Sequence, residues 1–247
     1  MPSHAAAPDN LLPAREKLIV ALDFPSATTA LEFVNRLDGA CTWFKVGLEL
    51  YLSAGNAIVA ALRERGYSVF LDLKLHDIPN TVAGAVRSAS TSGASLLTLH
   101  SLGGPAMLEA AVNEAAKLQN PPKLLAVTLL TSMDELQIQA IGLPLPAADQ
   151  VLKLARMACA TGVDGVVASP LETAALRAAL GTKPLLVIPG IRSATDAADD
   201  QRRTASPADA IASGASMLVV GRPITRAVDP VSAARAILQQ ITAANSL

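Results

Sequence analysis

Three charged residues follow an apolar strand in the segment that runs from Val69 to Thr81. Side chains alternate between the two faces of a β-strand, so we expect Asp72 and Lys74 to lie side by side on one face. Isolated charges are costly to bury. A carboxylate and an ammonium at the end of an apolar strand therefore indicate either catalytic chemistry or a buried ion pair that only stabilises the fold, and both interpretations stay open here.

Two histidines, His76 and His100, lie close to this segment or at the end of a neighbouring predicted strand. A metal site needs ligands at short, regular spacing, and the chain contains no HxH, HExxH or HxxxH pattern. A single histidine at a strand end is more often a hydrogen-bonded residue of the fold. The sequence therefore predicts no metal site.

Two glycine–arginine turns indicate phosphate binding. Gly190-Ile191-Arg192 and Gly221-Arg222 each combine a glycine, which lets the backbone approach a ligand, with an arginine suited to bidentate phosphate contact. The polar segment Ser193 to Ser206 between them is too long for a simple connection. It is either a lid that closes over the phosphate or a surface loop. The turns together predict a phosphorylated substrate.

The elements that must position these residues alternate between short apolar strands and longer alanine-rich helices, which is typical of a parallel sheet. Eight such units in about 230 residues predict an α/β fold, a single TIM (β/α)8 barrel, because a doubly wound sheet usually has fewer strands. The predicted strands are Lys17 to Asp23, Trp43 to Gly47, Ser68 to Lys74, Leu96 to His100, Leu124 to Leu130, Gly165 to Ala168, Leu185 to Pro189 and Met217 to Val220. The predicted helices are Ala27 to Leu37, Asn56 to Arg65, Thr81 to Thr91, Pro105 to Leu118, Ala148 to Ala160, Leu171 to Leu180, Pro207 to Ala212 and Pro230 to Thr242.

The carboxyl ends of the strands are where a TIM barrel builds its active site. A lone strand lysine such as Lys45 is more often an edge residue, but polar residues recur at the ends of most predicted strands. Their convergence favours a catalytic site. The residues are Asp23, Lys45, Asp72 with Lys74, His100, Thr131, Pro189 with Gly190, and Gly221 with Arg222.

Composition limits the class of protein. The chain has 247 residues, of which 51% are hydrophobic and 17% charged, so one large core is expected. We predict one barrel domain over residues 17–247 after a flexible tail of residues 1–16. A net charge of −1 and the absence of a basic cluster beyond Arg202-Arg203 argue against nucleic acid, and no stretch is long enough to span a membrane. Two distant cysteines, Cys41 and Cys159, favour a reduced cytoplasmic setting.

The run from Asp72 to Thr81 reads D-x-K-x-x-D-I-x-x-T, which resembles the signature of the orotidine 5'-phosphate decarboxylase family. The resemblance extends over nearly the whole chain. The shorter D-x-K-x-x-D core also occurs in phosphosugar decarboxylases and hexulose phosphate synthases of the same superfamily. Further matching segments are Ala21 to Asp23, Phe44 to Gly47, Ala126 to Ser132, Pro189 to Arg192, Asp200 to Arg203 and Val220 to Ile224.

The resemblance implies decarboxylation of orotidine 5'-monophosphate to uridine 5'-monophosphate, the last step of de novo pyrimidine synthesis, with no cofactor and no metal. Lys74 would stabilise the carbanion at C6 and then protonate it. Asp72 would keep Lys74 protonated and face the substrate carboxylate, and Lys45 would pair with Asp72 and reach the ribose. Asp23 would hold a ribose hydroxyl.

The resemblance also assigns the remaining ligands and a partner. Thr131 would contact the pyrimidine, with Pro189 packed near it. Asp77, as a fourth catalytic residue, and Thr81 would be donated by the neighbouring subunit, which implies a homodimer with shared active sites. The phosphate ligands would be Arg192, Gln201, Gly221 and Arg222.

Two alternatives to this assignment come from different functional classes. A phosphosugar lyase of the superfamily would use the same third-strand carboxylates to hold Mg²⁺, but the presence of Gln201 and Thr81 argues against it. A noncatalytic nucleotide-binding barrel would be expected to have lost Lys74 or Asp72, and both are present.

Overall fold

Eight parallel strands close into a barrel in the computed structural model, which describes residues 13–192 and 204–245. Each strand pairs with the next along the chain, and β1 pairs with β8 to complete the ring. The predicted TIM barrel is therefore confirmed. The strands are β1 (Leu18–Ala21), β2 (Trp43–Gly47), β3 (Ser68–Leu75), β4 (Leu96–His100), β5 (Lys123–Val127), β6 (Gly165–Val167), β7 (Leu185–Ile188) and β8 (Met217–Val220).

Helices connect successive strands and cover the outside of the barrel. They are α1 (Ala14–Lys17), α2 (Ala27–Arg36), α3 (Leu48–Ala54), α4 (Asn56–Glu64), α5 (Pro79–Thr91), α6 (Gly104–Ala115), α7 (Glu135–Ala140), α8 (Ala147–Ala160), α9 (Thr173–Leu180), α10 (Pro207–Ala212), α11 (Arg222–Thr225) and α12 (Pro230–Asn245). Two 3₁₀ turns, Ser101–Gly103 and Pro170–Glu172, precede α6 and α9. Several helices begin at side-chain caps; the Ser26 hydroxyl, for example, accepts from the Thr29 N–H at the start of α2.

Strand alternation divides the apolar residues into two core layers. On β1, Leu18 and Val20 face the helices, whereas Ile19 and Ala21 face the barrel interior. Every residue of β1 is buried for this reason, as is usual for a parallel strand covered on both faces. The inner layer supports the mouth of the barrel from below and holds the strand ends in fixed positions.

Strand boundaries follow the prediction closely on β2, β4 and β8. The first and fifth strands are shorter than predicted, because pairing ends at Ala21 and Val127. The apolar residues beyond Val127 do not continue the ladder; Leu129 and Leu130 line the cavity described below. Apolar character at these positions therefore reflects the wall of a cavity and not a longer strand.

Residues just before the predicted lid or surface loop, Ser193 to Ser206, pair with Ala205 near the other end of that segment. The Arg192 N–H donates to the Ala205 carbonyl at 3.0 Å, and the Ala205 N–H donates to the Gly190 carbonyl at 3.3 Å. Residues 193–203 lie outside the described part of the chain, as do residues 1–12 of the predicted tail. The rest of that tail begins α1, and Lys17 at the end of this helix donates to the Asn245 side chain at 2.7 Å. No helix within the described ranges is long and apolar enough to cross a membrane.

Candidate active site

A cavity of about 500 Å³ opens at the carboxyl ends of the strands. Its volume is in the usual range for small-molecule sites, about 300 to 1,000 Å³. Residues from seven of the eight strands or their following loops contribute to it. Nine residues predicted from the sequence line it: Asp23, Lys45, Asp72, Lys74, Thr131, Pro189, Arg192, Gly221 and Arg222.

Four charged side chains form a row of alternating sign along one side of this cavity. Lys74 Nζ donates to both carboxylate oxygens of Asp72 at 2.9 Å. Lys45 Nζ donates to Asp23 Oδ1 at 2.9 Å and lies 3.8 Å from Asp72 Oδ2. Lys45 is therefore closer to Asp23 than to Asp72, although the resemblance pairs it with Asp72.

Burial explains why the row must alternate in sign. The side chains of Lys45 and Asp72 are 11% and 14% exposed, so each charge needs a partner of opposite sign nearby. Lys74 is 32% exposed and reaches the cavity. A buried carboxylate pairs with its ammonium at the cavity wall.

The floor of the cavity is apolar. Ala21, Phe70 and Val219 belong to the inner core layer of the barrel and also line the cavity, together with Val127 and Val167. Few mobile dipoles are available in such surroundings, so a charge that develops here interacts strongly with nearby ions. The charged row thus acts in a medium of low polarity.

A bulge in β3 brings Asp72 and Lys74 together. Leu71 pairs with Leu97 of β4 and Leu75 pairs with Leu99, so three β3 residues lie opposite the single residue Thr98. Lys74 has a φ of 51°, in the left-handed region, which costs about 1 to 3 kcal/mol for a residue other than glycine. Regular alternation predicts the correct face for both side chains, but their contact depends on this irregular backbone.

Thr98 is a residue of the site that sequence reasoning missed. It is fully buried, and its hydroxyl oxygen accepts from the Lys74 N–H at 2.8 Å. The same hydroxyl donates to Asp72 Oδ1 at 3.0 Å. The sequence does contain one indication, because Thr98 is the one hydroxyl residue within the otherwise apolar run Leu96 to Leu99.

Three arginines line the part of the cavity that follows β7 and β8. Arg192 and Arg222 come from the two predicted glycine–arginine turns, and Arg226 lines the same cavity. Arg226 was not predicted from the sequence, although Arg226 lies four residues after Arg222 and this spacing would place both on one side of a helical turn. The arginines make this part of the cavity suitable for a phosphate.

Gly47 gives Lys45 the space that it occupies. A Cβ atom at this position would lie 2.9 Å from Lys45 Nζ and 3.5 Å from Asp23 Oδ1. Any larger residue would displace the end of the lysine side chain from the charged row. The glycine is therefore a packing requirement of the site as well as the end of β2.

Two of the predicted site residues do not line the cavity, and a third lies outside the described part of the chain. Asp77 is exposed, and its carboxylate accepts from the Ile78 N–H at 2.6 Å. Thr81 is exposed in the first turn of α5. Gln201 lies outside the described residues.

The rings of His76 and His100 stack at 5.4 Å beside the charged row. Burial lowers the pKa of His100 below its ordinary value of 6.5, and the neighbouring His76 and Lys74 lower it further. His100 Nδ1 accepts from the Leu102 N–H at 3.3 Å, which requires the neutral ring. Among residues 13–192 and 204–245, no group of three or more histidine, cysteine or acidic residues is arranged to hold a metal ion.

Comparison with known proteins gives consistent matches over most of the chain. Residues 16–237 match the Orotidine 5'-phosphate decarboxylase / HUMPS family. An orotidine 5'-phosphate decarboxylase of Anaeromyxobacter sp. (strain K) is 50% identical over 222 residues, which cover 90% of this chain and 96% of that protein. One from Halorhodospira halophila is 49% identical over 233 residues, covering 94% and 99%. The crystal structure of the enzyme from Lactobacillus acidophilus superposes with a TM-score of 0.81 at 40% identity, covering 91% and 98%.

Proposed function

Because the chain belongs to the Orotidine 5'-phosphate decarboxylase / HUMPS family, we infer that its cavity is a decarboxylase active site. The protein converts orotidine 5'-monophosphate to uridine 5'-monophosphate and carbon dioxide, in pyrimidine biosynthesis. One observation about the site supports this function. A single cavity joins the Asp72–Lys74 pair to an arginine cluster across the barrel mouth, as required by a substrate that carries both a carboxylate and a phosphate.

Lys74 acts on C6, the substrate atom that loses the carboxylate. When the bond between C6 and the carboxylate breaks, carbon dioxide leaves and the electron pair stays on C6. The Lys74 ammonium stabilises this charge as it develops and then gives C6 a proton, after which water reprotonates the amine. The apolar floor strengthens the first of these effects, because little screening is available there.

Asp72 contributes in two ways. Its contact with Lys74 at 2.9 Å holds the ammonium in place before substrate binds. The substrate carboxylate then lies near the Asp72 carboxylate, and loss of carbon dioxide relieves this like-charge contact. Two unit charges about 4 Å apart interact by about 4 kcal/mol at an effective dielectric constant near 20, which sets the scale of this effect.

The other lining residues bind the parts of the substrate that do not react. Asp23 and Lys45 form the polar end of the charged row and hold the ribose hydroxyls. Thr131 contacts the pyrimidine, and Pro189 packs near it. Arg192, Gly221 and Arg222 hold the phosphate together with Gln201, and this remote binding energy organises the reacting end of the site.

The complete active site is shared between two copies of the chain. Asp77 and Thr81 are exposed and lie outside the cavity of their own barrel, so they are free to complete the cavity of a partner. Large apolar side chains are exposed around the same end of the barrel. Ile78 is 67% exposed and Leu52 is 81% exposed, which is typical of a surface that another protein covers. A homodimer that buries this end accounts for both features.

Absorbance measurements with orotidine 5'-monophosphate test the function directly, since loss of the conjugated carboxylate changes the ultraviolet spectrum of the pyrimidine. We expect the spectrum to change fully to that of uridine 5'-monophosphate. Binding of the nucleotide without any spectral change would favour the noncatalytic nucleotide-binding barrel. Turnover of a phosphosugar in its place would favour the superfamily lyases.

Location in the cytoplasm is a further proposal. It is supported by two free cysteines, because Cys41 and Cys159 are not joined in a disulfide.

A further inference from the structure

One side chain of the neighbouring strand, Thr98, hydrogen-bonds to two residues of the bulge in β3. Regular pairing between β3 and β4 stops at Leu71 and resumes at Leu75, and the Thr98 hydroxyl occupies the interval. It accepts from the Lys74 N–H and donates to Asp72 Oδ1. A hydroxyl has one O–H donor and can also accept, so one group satisfies both partners at once.

Thr98 itself is held firmly. On its other side it pairs with Leu125 of β5 in an unbroken parallel ladder, and its side chain is 0% exposed. A β-branched side chain has few accessible χ1 rotamers, so the hydroxyl position is fixed by the strand. Full burial also means that Thr98 cannot touch the substrate.

We propose that Thr98 is a positioning residue for decarboxylation, whose hydroxyl sets the distance between the Asp72 carboxylate and the Lys74 ammonium. It fixes the left-handed backbone of Lys74 and one oxygen of Asp72 relative to β4. Without it, the carboxylate keeps its charged neighbours but loses the neutral contact that orients it. The Lys74 backbone is then free to leave its strained conformation, and the ammonium moves relative to C6.

This inference rests on the decarboxylase function proposed above. Turnover of orotidine 5'-monophosphate by the parent protein tests that function, whereas the ratio of each variant to the parent tests the role of Thr98. Failure of the proposed function and failure of the proposed role of Thr98 would therefore give different results.

Two variants separate the hydroxyl from the methyl group of Thr98. Thr98→Val keeps the shape and removes the hydroxyl, and Thr98→Ser keeps the hydroxyl and removes the methyl group. Since misplacement of a reacting group by about 1 Å can cost about 100-fold, we expect Thr98→Val to lower kcat by roughly 10- to 100-fold. Thr98→Ser should stay within about threefold of the parent, and KM should change by less than about threefold in both because Thr98 does not reach the ligand.

A matched control is available directly after β5. Thr128 is also fully buried, but its hydroxyl donates to a backbone group, the Val167 carbonyl, at 3.0 Å. Thr128→Val should therefore leave kcat within about threefold of the parent even if it lowers the unfolding temperature as much as Thr98→Val does. If Thr98→Val does not fold, Thr98→Ala compared with Thr98→Ser still isolates the hydroxyl, because both lack the methyl group.

The proposal is overturned if Thr98→Val retains parental kcat, or if the valine and serine variants lose kcat equally. A loss that appears only in KM would also overturn it, since it would assign Thr98 to ligand binding.

Discussion

At the scale of single residues, catalysis depends on one cation held at an apolar wall. Lys74→Ala removes both the charge that stabilises the C6 carbanion and the proton that quenches it. We expect kcat to fall by roughly four powers of ten or more, while the affinity for uridine 5'-monophosphate changes much less. Steady-state kinetics and product binding measure the two effects. Lys123→Ala, at an exposed position where β5 begins, is the control, and a Lys74→Ala rate within tenfold of the parent would contradict the role.

The pKa of His100 gives a prediction for stability. Burial lowers this pKa, helped by the positive charges of His76 and Lys74, so the folded protein binds the proton more weakly than the unfolded chain. The free energy of unfolding should therefore decline as pH falls below about 6.5 and continue to decline down to the folded pKa.

Denaturant titrations between about pH 7.5 and about pH 5 would measure this decline. His100→Gln should reduce it, because the substituted side chain does not titrate. His76→Gln should reduce it in part, because one of the charges that lowers the His100 pKa is removed. An unchanged pH dependence in His100→Gln would show that other groups cause the decline.

Site residues with a charged side chain at the end of an apolar strand could be predicted from the sequence. Asp72 and Lys74 are conspicuous because charge is rare in an apolar strand. The detailed roles of Thr98 and Gly47 could not be predicted, because they depend on which atoms the folded backbone places within about 3 Å of each residue. Periodicity gives the face of a strand but not the position of a bulge.

At the scale of elements, we propose that the loops after β7 and β8 bind the substrate phosphate, which does not react. Arg222 begins α11 at the cavity wall. If phosphate contacts there organise the site, Arg222→Ala should lower kcat/KM by roughly two to four powers of ten, or about 3 to 5 kcal/mol. Orotidine without its phosphate should be an equally poor substrate for the parent protein.

Arg156→Ala, at an exposed position on the outer helix α8, is the matched control and should leave kcat/KM unchanged. Equal turnover of nucleoside and nucleotide by the parent protein would refute the proposed function of these loops.

Elements of ordinary length were predictable, as was the six-residue helix α10, but most other short helices were not. The eight strands and the longer helices have clear periods or runs of β-branched and leucine residues. Helices α1, α3, α7 and α11 were missed, because four to seven residues do not establish a helical period. Three of these, α3, α7 and α11, lie in the loops after β2, β5 and β8, at the end of the barrel that carries the site. Most of the missed helices are therefore close to the chemistry.

At the scale of the whole molecule, the shared site predicts complementation between inactive variants. In a mixed dimer of Asp77→Ala and Lys74→Ala chains, one site carries both lesions and the other carries neither. Random reassembly should therefore restore up to about a quarter of the parental activity. A mixture of Asp72→Ala and Lys74→Ala is the control, because those residues lie in the same cavity and every mixed site stays defective. If the first mixture stays as inactive as the second, Asp77 acts within its own subunit.

The rate of decarboxylation after exhaustive treatment with a chelator tests directly whether a lysine or a metal ion stabilises the developing charge. We propose that Lys74 stabilises this charge. Both carboxylates of the charged row, Asp23 and Asp72, already have lysine partners at 2.9 Å. Such pairing opposes binding of a dication, which needs free carboxylate oxygens. We predict that the treated protein converts orotidine 5'-monophosphate at the untreated rate and that added Mg²⁺ gives no increase. Activity that disappears with the chelator and returns with Mg²⁺ would contradict the account and reassign Asp72 as a metal ligand.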